Sequence, residues 1–116
     1  MKFPIFVLLK DCGEVEKYPS IHAMQAELEA IDIENHEYLA WDADGIGLEL
    51  GTQKPVWITI EEKTKDWGSL VDAVRAFAAS EKSETRSELS SVADIEEVLK
   101  SITAKKSTGW WKFRKS

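Results

Sequence analysis

The segment Glu37-Tyr38-Leu39-Ala40-Trp41-Asp42-Ala43-Asp44-Gly45-Ile46-Gly47-Leu48-Glu49-Leu50 constrains the fold more than any other part of the chain. Asp-Gly is a favoured pair for a two-residue hairpin turn, because both turn positions require positive φ and Gly adopts it without steric cost. With Asp44-Gly45 as the turn, Ala43 faces Ile46, Trp41 faces Leu48 and Leu39 faces Leu50. Those six side chains then share one side of a sheet, so turn chemistry and alternation agree on a half-buried antiparallel hairpin.

Other elements follow from the same periodicities. Phe3-Pro4-Ile5-Phe6-Val7-Leu8-Leu9 is apolar at every position and reads as a strand buried on both faces, central in its sheet. Asp11-Cys12-Gly13 supplies a turn, and Glu14 to Tyr18 return as a more polar strand. Ser20 is placed to cap a helix whose stripe is Ile21, Met24, Leu28 and Ile31. Beyond Gly51-Thr52-Gln53-Lys54-Pro55, the run Val56-Trp57-Ile58-Thr59-Ile60 is a strand with Val56, Ile58 and Ile60 on one face. A second helix spans 66–80, with Asp66 as its cap and Trp67, Leu70, Val71, Val74, Phe77 and Ala78 as its stripe. Ser91-Val92-Ala93-Asp94 has the spacing of a capping box, Asp replacing the usual Glu or Gln, ahead of the narrow stripe Val92, Ile95, Leu99, Ile102.

The order is therefore ββαβββα followed by a further helix and tail. It predicts an α+β fold with a mainly antiparallel sheet of about five strands and helices on one face. Residues 1–80 form the core domain, 81–90 a polar linker or helix extension, and 91–116 a C-terminal helix with a basic aromatic tail, packed on the core.

Composition narrows the functional classes. The 116 residues carry 15 Lys+Arg against 21 Asp+Glu, a formal charge of −6, which argues against a chain that binds nucleic acid or membrane over its whole surface. That total conceals a division. Residues 1–97 hold 9 bases and 21 acids, giving −12, whereas residues 98–116 hold 6 bases and no side-chain acid, giving +6. One cysteine cannot form an internal disulfide, and the longest apolar run falls far short of the ~20 residues of a membrane span. These features point to the cytoplasm.

Catalytic and metal-binding patterns are not evident. Cys12, His22 and His36 are far apart, with no CxxC, HxH or HExxH spacing to converge on one ion. Asp42-Ala43-Asp44-Gly45 begins like a calcium loop, but Gln53 stands where the twelfth-position Glu belongs, and a hairpin turn explains the residues better. Asp11 and Glu14 disfavour a Cys12 thiolate. Glu34/Glu37 and Glu61/Glu62 are carboxylate pairs with no visible companion acid, base or pocket. The expectation is a non-enzymatic chain with no catalytic residue, cofactor or metal.

Five tryptophans and the basic end carry the remaining information. Trp41 and Trp67 belong to the core by their position on apolar faces. Trp57 lies on the face opposite Val56 and Ile58, where, with Tyr38 and Phe6, it either forms an exposed aromatic surface or is covered by the last helix or tail. Trp110, Trp111, Lys112, Phe113, Arg114 and Lys115 mix rings with cations, the composition of a partner contact. The same mixture suits an anionic lipid surface or single-stranded nucleic acid, and equally the acidic body of the chain itself.

The pattern E-Y-x-x-W-D-A-x-G, within Ile31 to Gly45, resembles the central hairpin of small uncharacterised bacterial proteins. The resemblance spans strand one through strand four, implies a bacterial source and brings no activity with it. Together these readings favour a protein-interaction or regulatory module, of which an inhibitor or immunity protein is one type, whose partner is another protein or a second copy. Trp57 and residues 110–115 are its candidate contacts. The alternatives are anionic lipid or nucleic-acid binding through residues 105–116, and a small-molecule site or enzyme without a recognisable motif.

Overall fold

The computed structural model describes residues 1–53, 57–81 and 88–105, the side chains of Gln53, Trp57 and 103–105 excepted. Five strands, β1 (Ile5–Leu9), β2 (Glu14–Tyr18), β3 (Tyr38–Trp41), β4 (Ile46–Gln53) and β5 (Trp57–Lys65), form one sheet. Its order is β2-β1-β3-β4-β5 and every neighbouring pair is antiparallel. Four helices complete the α+β fold: α1 (Ile21–Glu27), α2 (Ala30–Glu34), α3 (Trp67–Ser80) and α4 (Val92–Lys105).

β1 is flanked on both sides, as its uniformly apolar sequence requires, and its two faces feed two separate cores. Ile5 and Val7 pack with Met24 and Leu28 of α1 and Ile33 of α2. Phe6 packs on the other face with Leu70, Val74 and Phe77 of α3 and with Ile95, Val98, Leu99 and Ile102 of α4. Helices therefore cover both faces, in contrast to the single covered face expected from strand patterning. A strand apolar on both sides leaves one face wet unless each side receives its own layer.

The hairpin forms, but its register differs from the expected one. Ala40 lies opposite Leu48 and Trp41 opposite Gly47, and the Asp42 N–H donates to the Ile46 carbonyl at 3.0 Å. The connection is thus Ala43-Asp44-Gly45, a three-residue loop with Gly45 at φ 80°. This is the arrangement of a turn followed by a left-handed glycine. Because side chains alternate, a one-residue slip sends every member of one strand to the opposite face. Trp41 now joins the α3/α4 core while Ala40 and Leu48 join the α1/α2 core. Asp42 explains the preference. Fully buried, its carboxylate accepts the N–H groups of Asp44 at 2.9 Å, Ile46 at 3.0 Å and Lys2 at 3.2 Å. A two-residue turn has no equivalent use for that side chain.

Local signals set two of the four helix starts. The Ser20 hydroxyl accepts the Ala23 N–H at 3.1 Å, as a cap should. At α4 the exchange is reciprocal: Ser91 Oγ accepts the Asp94 N–H at 3.4 Å, and Asp94 Oδ2 accepts the Ser91 N–H at 3.3 Å. Asp thus serves in a capping box. Asp66 occupies the cap position of α3 without a side-chain cap bond, and its own N–H instead donates to the Gly45 carbonyl at 2.8 Å. The first helix departs from its expected stripe. The chain is extended at Leu28 and restarts as α2, so Ile33 is buried while Ile31 is 60% exposed. Two short helices let Met24, Leu28 and Ile33 all reach the same core, which one straight helix would not.

Candidate interaction surface

The α3/α4 layer covers the sheet unevenly. α3 and α4 lie near β2, and Lys17 of β2 bonds Glu96 of α4 at 3.0 Å. Across the sheet, the β4–β5 half of that face presents Glu49, Thr59, Glu61 and Lys63, all exposed among the described residues. Leu39 borders them at 44% exposure, on the same face as Trp41 two residues on.

Charges on this half are arranged as a connected set. Lys63 donates to Glu61 on its own strand and to Glu49 on β4, the latter at 3.0 Å. These bonds, Glu61 first and Glu49 second, push the Lys63 ammonium up to about 12. Glu49 is lowered from the ordinary carboxylate range chiefly by its hydrogen bond to Lys63, with Lys63's charge and His36 adding to it. Both groups are solvent-exposed, so the set orders the surface more than it stabilises the fold.

An open recess of about 250 Å³ adjoins this set. It forms where β3 and β4 part: their pairing extends only to Ala40 opposite Leu48, although β4 continues to Gln53. Ile33, Leu48 and Leu50 give it an apolar lining, with Lys10, His36 and Lys63 among the polar residues around it. Its volume is below the range of about 300–1,000 Å³ that commonly encloses a small molecule.

The residues singled out by sequence distribute as follows. Trp41 is buried, and Trp67 packs against the α3/α4 core with its indole N–H donating to the Leu89 carbonyl at 2.8 Å. That bond anchors the end of the 81–90 segment, whose Leu89 is itself buried. Phe6 and Tyr38, expected together beside Trp57, lie on opposite faces of the sheet. Phe6 is fully buried under α3 and α4, whereas Tyr38 packs on the α1/α2 side, its hydroxyl donating to Asp32 at 3.3 Å. Trp57 begins β5 opposite Gln53, and its side chain lies outside the described residues, as do Trp110, Trp111, Lys112, Phe113, Arg114 and Lys115. Cys12, His22 and His36 are exposed and separate, and no metal-binding group of three occurs among the described residues.

Sequence reasoning missed Leu39, Glu49 and Lys63. Alternation in Ile58-Thr59-Ile60-Glu61-Glu62-Lys63 carried the signal for β5, since Thr59, Glu61 and Lys63 share one polar face. No helix among the described residues is long and apolar enough to cross a membrane. Comparison with known proteins gives no matching family profile, no matching curated protein and no matching solved structure.

Proposed function

We propose that the protein is a non-enzymatic interaction or regulatory module of the cytoplasm, in the manner of a small inhibitor or immunity protein. The observation that carries this reading is the open β4–β5 half-face, where exposed Leu39 lies beside the bonded set Glu49, Lys63 and Glu61. An apolar centre bordered by polar groups has the core-and-rim layout of a protein contact. Trp57 and residues 110–115 extend the contact in this reading. Capture from a native lysate with the wild-type chain, Leu39→Glu and a chain lacking residues 107–116 tests it. A partner retained by the wild type and lost with Leu39→Glu is the expected result. An unchanged partner set in both variants refutes the assignment of these contacts.

A second reading rests on the charge of residues 98–116, six bases without a side-chain acid. It assigns the C-terminal segment to an anionic lipid or single-stranded nucleic acid. Binding to acidic vesicles or to an oligonucleotide must then weaken steeply with added salt and vanish without residues 107–116. Binding that ignores salt refutes it.

A further inference from the structure

β5 ends the sheet, and none of the described strands pairs with its outer edge. It is nine residues long, the longest strand of the five, and such an edge is a template for another strand. Charged residues usually guard an edge by repelling whatever approaches. Here their order matters: Glu61 and Glu62 precede Lys63. A copy related by a two-fold axis runs antiparallel, so it presents the same charges in reverse.

We infer that β5 pairs with β5 of a second copy of this chain, antiparallel and centred on Glu62, joining the two sheets edge to edge. An axis perpendicular to the sheet keeps the two faces of each copy in line, so residues directly opposite must differ by an even number. Centred on Glu62, the pairing sets Glu61 opposite Lys63 twice. On that face the in-chain Glu61–Lys63 contact becomes a square of alternating charge. Only Glu62 meets its own kind, on the other face, where the Met1 ammonium of each copy bonds it at 3.1 Å. Centring on Glu61 loses the Glu61–Lys63 pairs, and centring on Lys63 sets Glu61 opposite Lys65, which the bulge places on the Glu62 face, so charge selects the register as well as the partner. The β5 ladder with β4 is regular from Trp57 to Glu62. Gly47 then stands alone between the Leu48–Glu62 and Ile46–Lys65 pairs, opposite Lys63 and Thr64. The bulge begins at Lys63, the last residue of the Glu61–Lys63 pairing, and confines the contact to that short centre.

Sedimentation equilibrium across a concentration series tests the pairing, with circular dichroism confirming that each variant folds. The wild type is expected to dimerise reversibly, more weakly as salt rises. Glu61→Lys sets Lys opposite Lys twice, and Lys63→Glu sets Glu opposite Glu twice. Each should weaken the dimer by about tenfold or more. An equimolar mixture of these two variants should recover association, because the two lysines of one variant then face the two glutamates of the other. A wild type that stays monomeric overturns the inference. So does a dimer indifferent to Glu61→Lys, or a variant mixture that fails to associate. The edge shares Glu61 and Lys63 with the Leu39 surface, but Leu39→Glu alters neither of them, so sedimentation of the Glu61 and Lys63 variants tests the pairing and the Leu39→Glu capture experiment tests the other contact.

Discussion

Replacing Gly45 with Ala tests how tightly the hairpin turn is joined to α3. A Cβ at Gly45 would lie 2.6 Å from Trp67 Cε3 and 2.9 Å from Trp67 Cα. The second atom is helix backbone, so no rotamer change relieves the contact. Gly45 also has φ 80°, a conformation that costs an L-residue about 1–2 kcal/mol. Adding about 1–3 kcal/mol for overpacking gives a loss of about 2–5 kcal/mol in total. Gly13 provides the internal control, since its φ is 77° and a Cβ there would meet nothing within 4 Å. Gly13→Ala should therefore lose only the backbone part, about 1–2 kcal/mol. Urea unfolding of the two variants, at matched m-values, measures the difference directly. In thermal unfolding the gap corresponds to roughly 4 °C per kcal/mol for a chain of this size. Equal losses in Gly45→Ala and Gly13→Ala would refute the close approach of turn and helix. A loss confined to Gly13→Ala would refute it more strongly.

Other expectations follow from individual side chains. Asp42→Ala leaves the part-buried N–H groups of Lys2, Asp44 and Ile46 without their acceptor and should cost about 1–3 kcal/mol in denaturant unfolding; a loss below that of a surface substitution would show that the carboxylate does not hold the turn. Asp94→Ala opens the capping box of α4 at about 0.5–2 kcal/mol, read as faster amide exchange in its first turn. The Tyr18 phenol is pushed upward, first by burial and then by its 2.6 Å hydrogen bond to Glu16. An acid raised in the folded state contributes stability that is fully present below the unfolded phenol's value of about 10 and is lost as pH climbs beyond it. Tyr18→Phe should flatten that alkaline decline, and an unchanged slope would assign it elsewhere. Leu39→Glu should leave urea stability within about 0.5 kcal/mol of wild type, as expected of an exposed position, which separates its effect on capture from unfolding.

Much of the secondary structure was legible because its causes are local. Ser20 caps α1, Ser91 and Asp94 form a capping box, and the Asp-Gly pair marks a turn, all through groups within a few residues of one another. The uninterrupted apolar run of β1 likewise announces a strand with neighbours on both sides. The candidate surface was less legible. Glu49 and Lys63 belong to different strands, and their meeting depends on the β4–β5 register. Leu39 looks like a core residue in the alternating pattern, yet it lies where the α3/α4 cover thins.

By itself the sequence determined which segments become strands and helices and where several of them start, because capping, turn formation and side-chain alternation act over a few residues. Tertiary structure decided which face each strand shows to which layer. The hairpin slipped by one residue because the buried Asp42 carboxylate gains an N–H partner from Lys2 as well as two from its own turn, and that slip divided Trp41 from Leu48 between two cores. The first helix broke at Leu28, which brings Met24, Leu28 and Ile33 into one core that a straight helix would not serve. Packing against distant parts of the chain chose among local alternatives that short-range energies leave nearly equal.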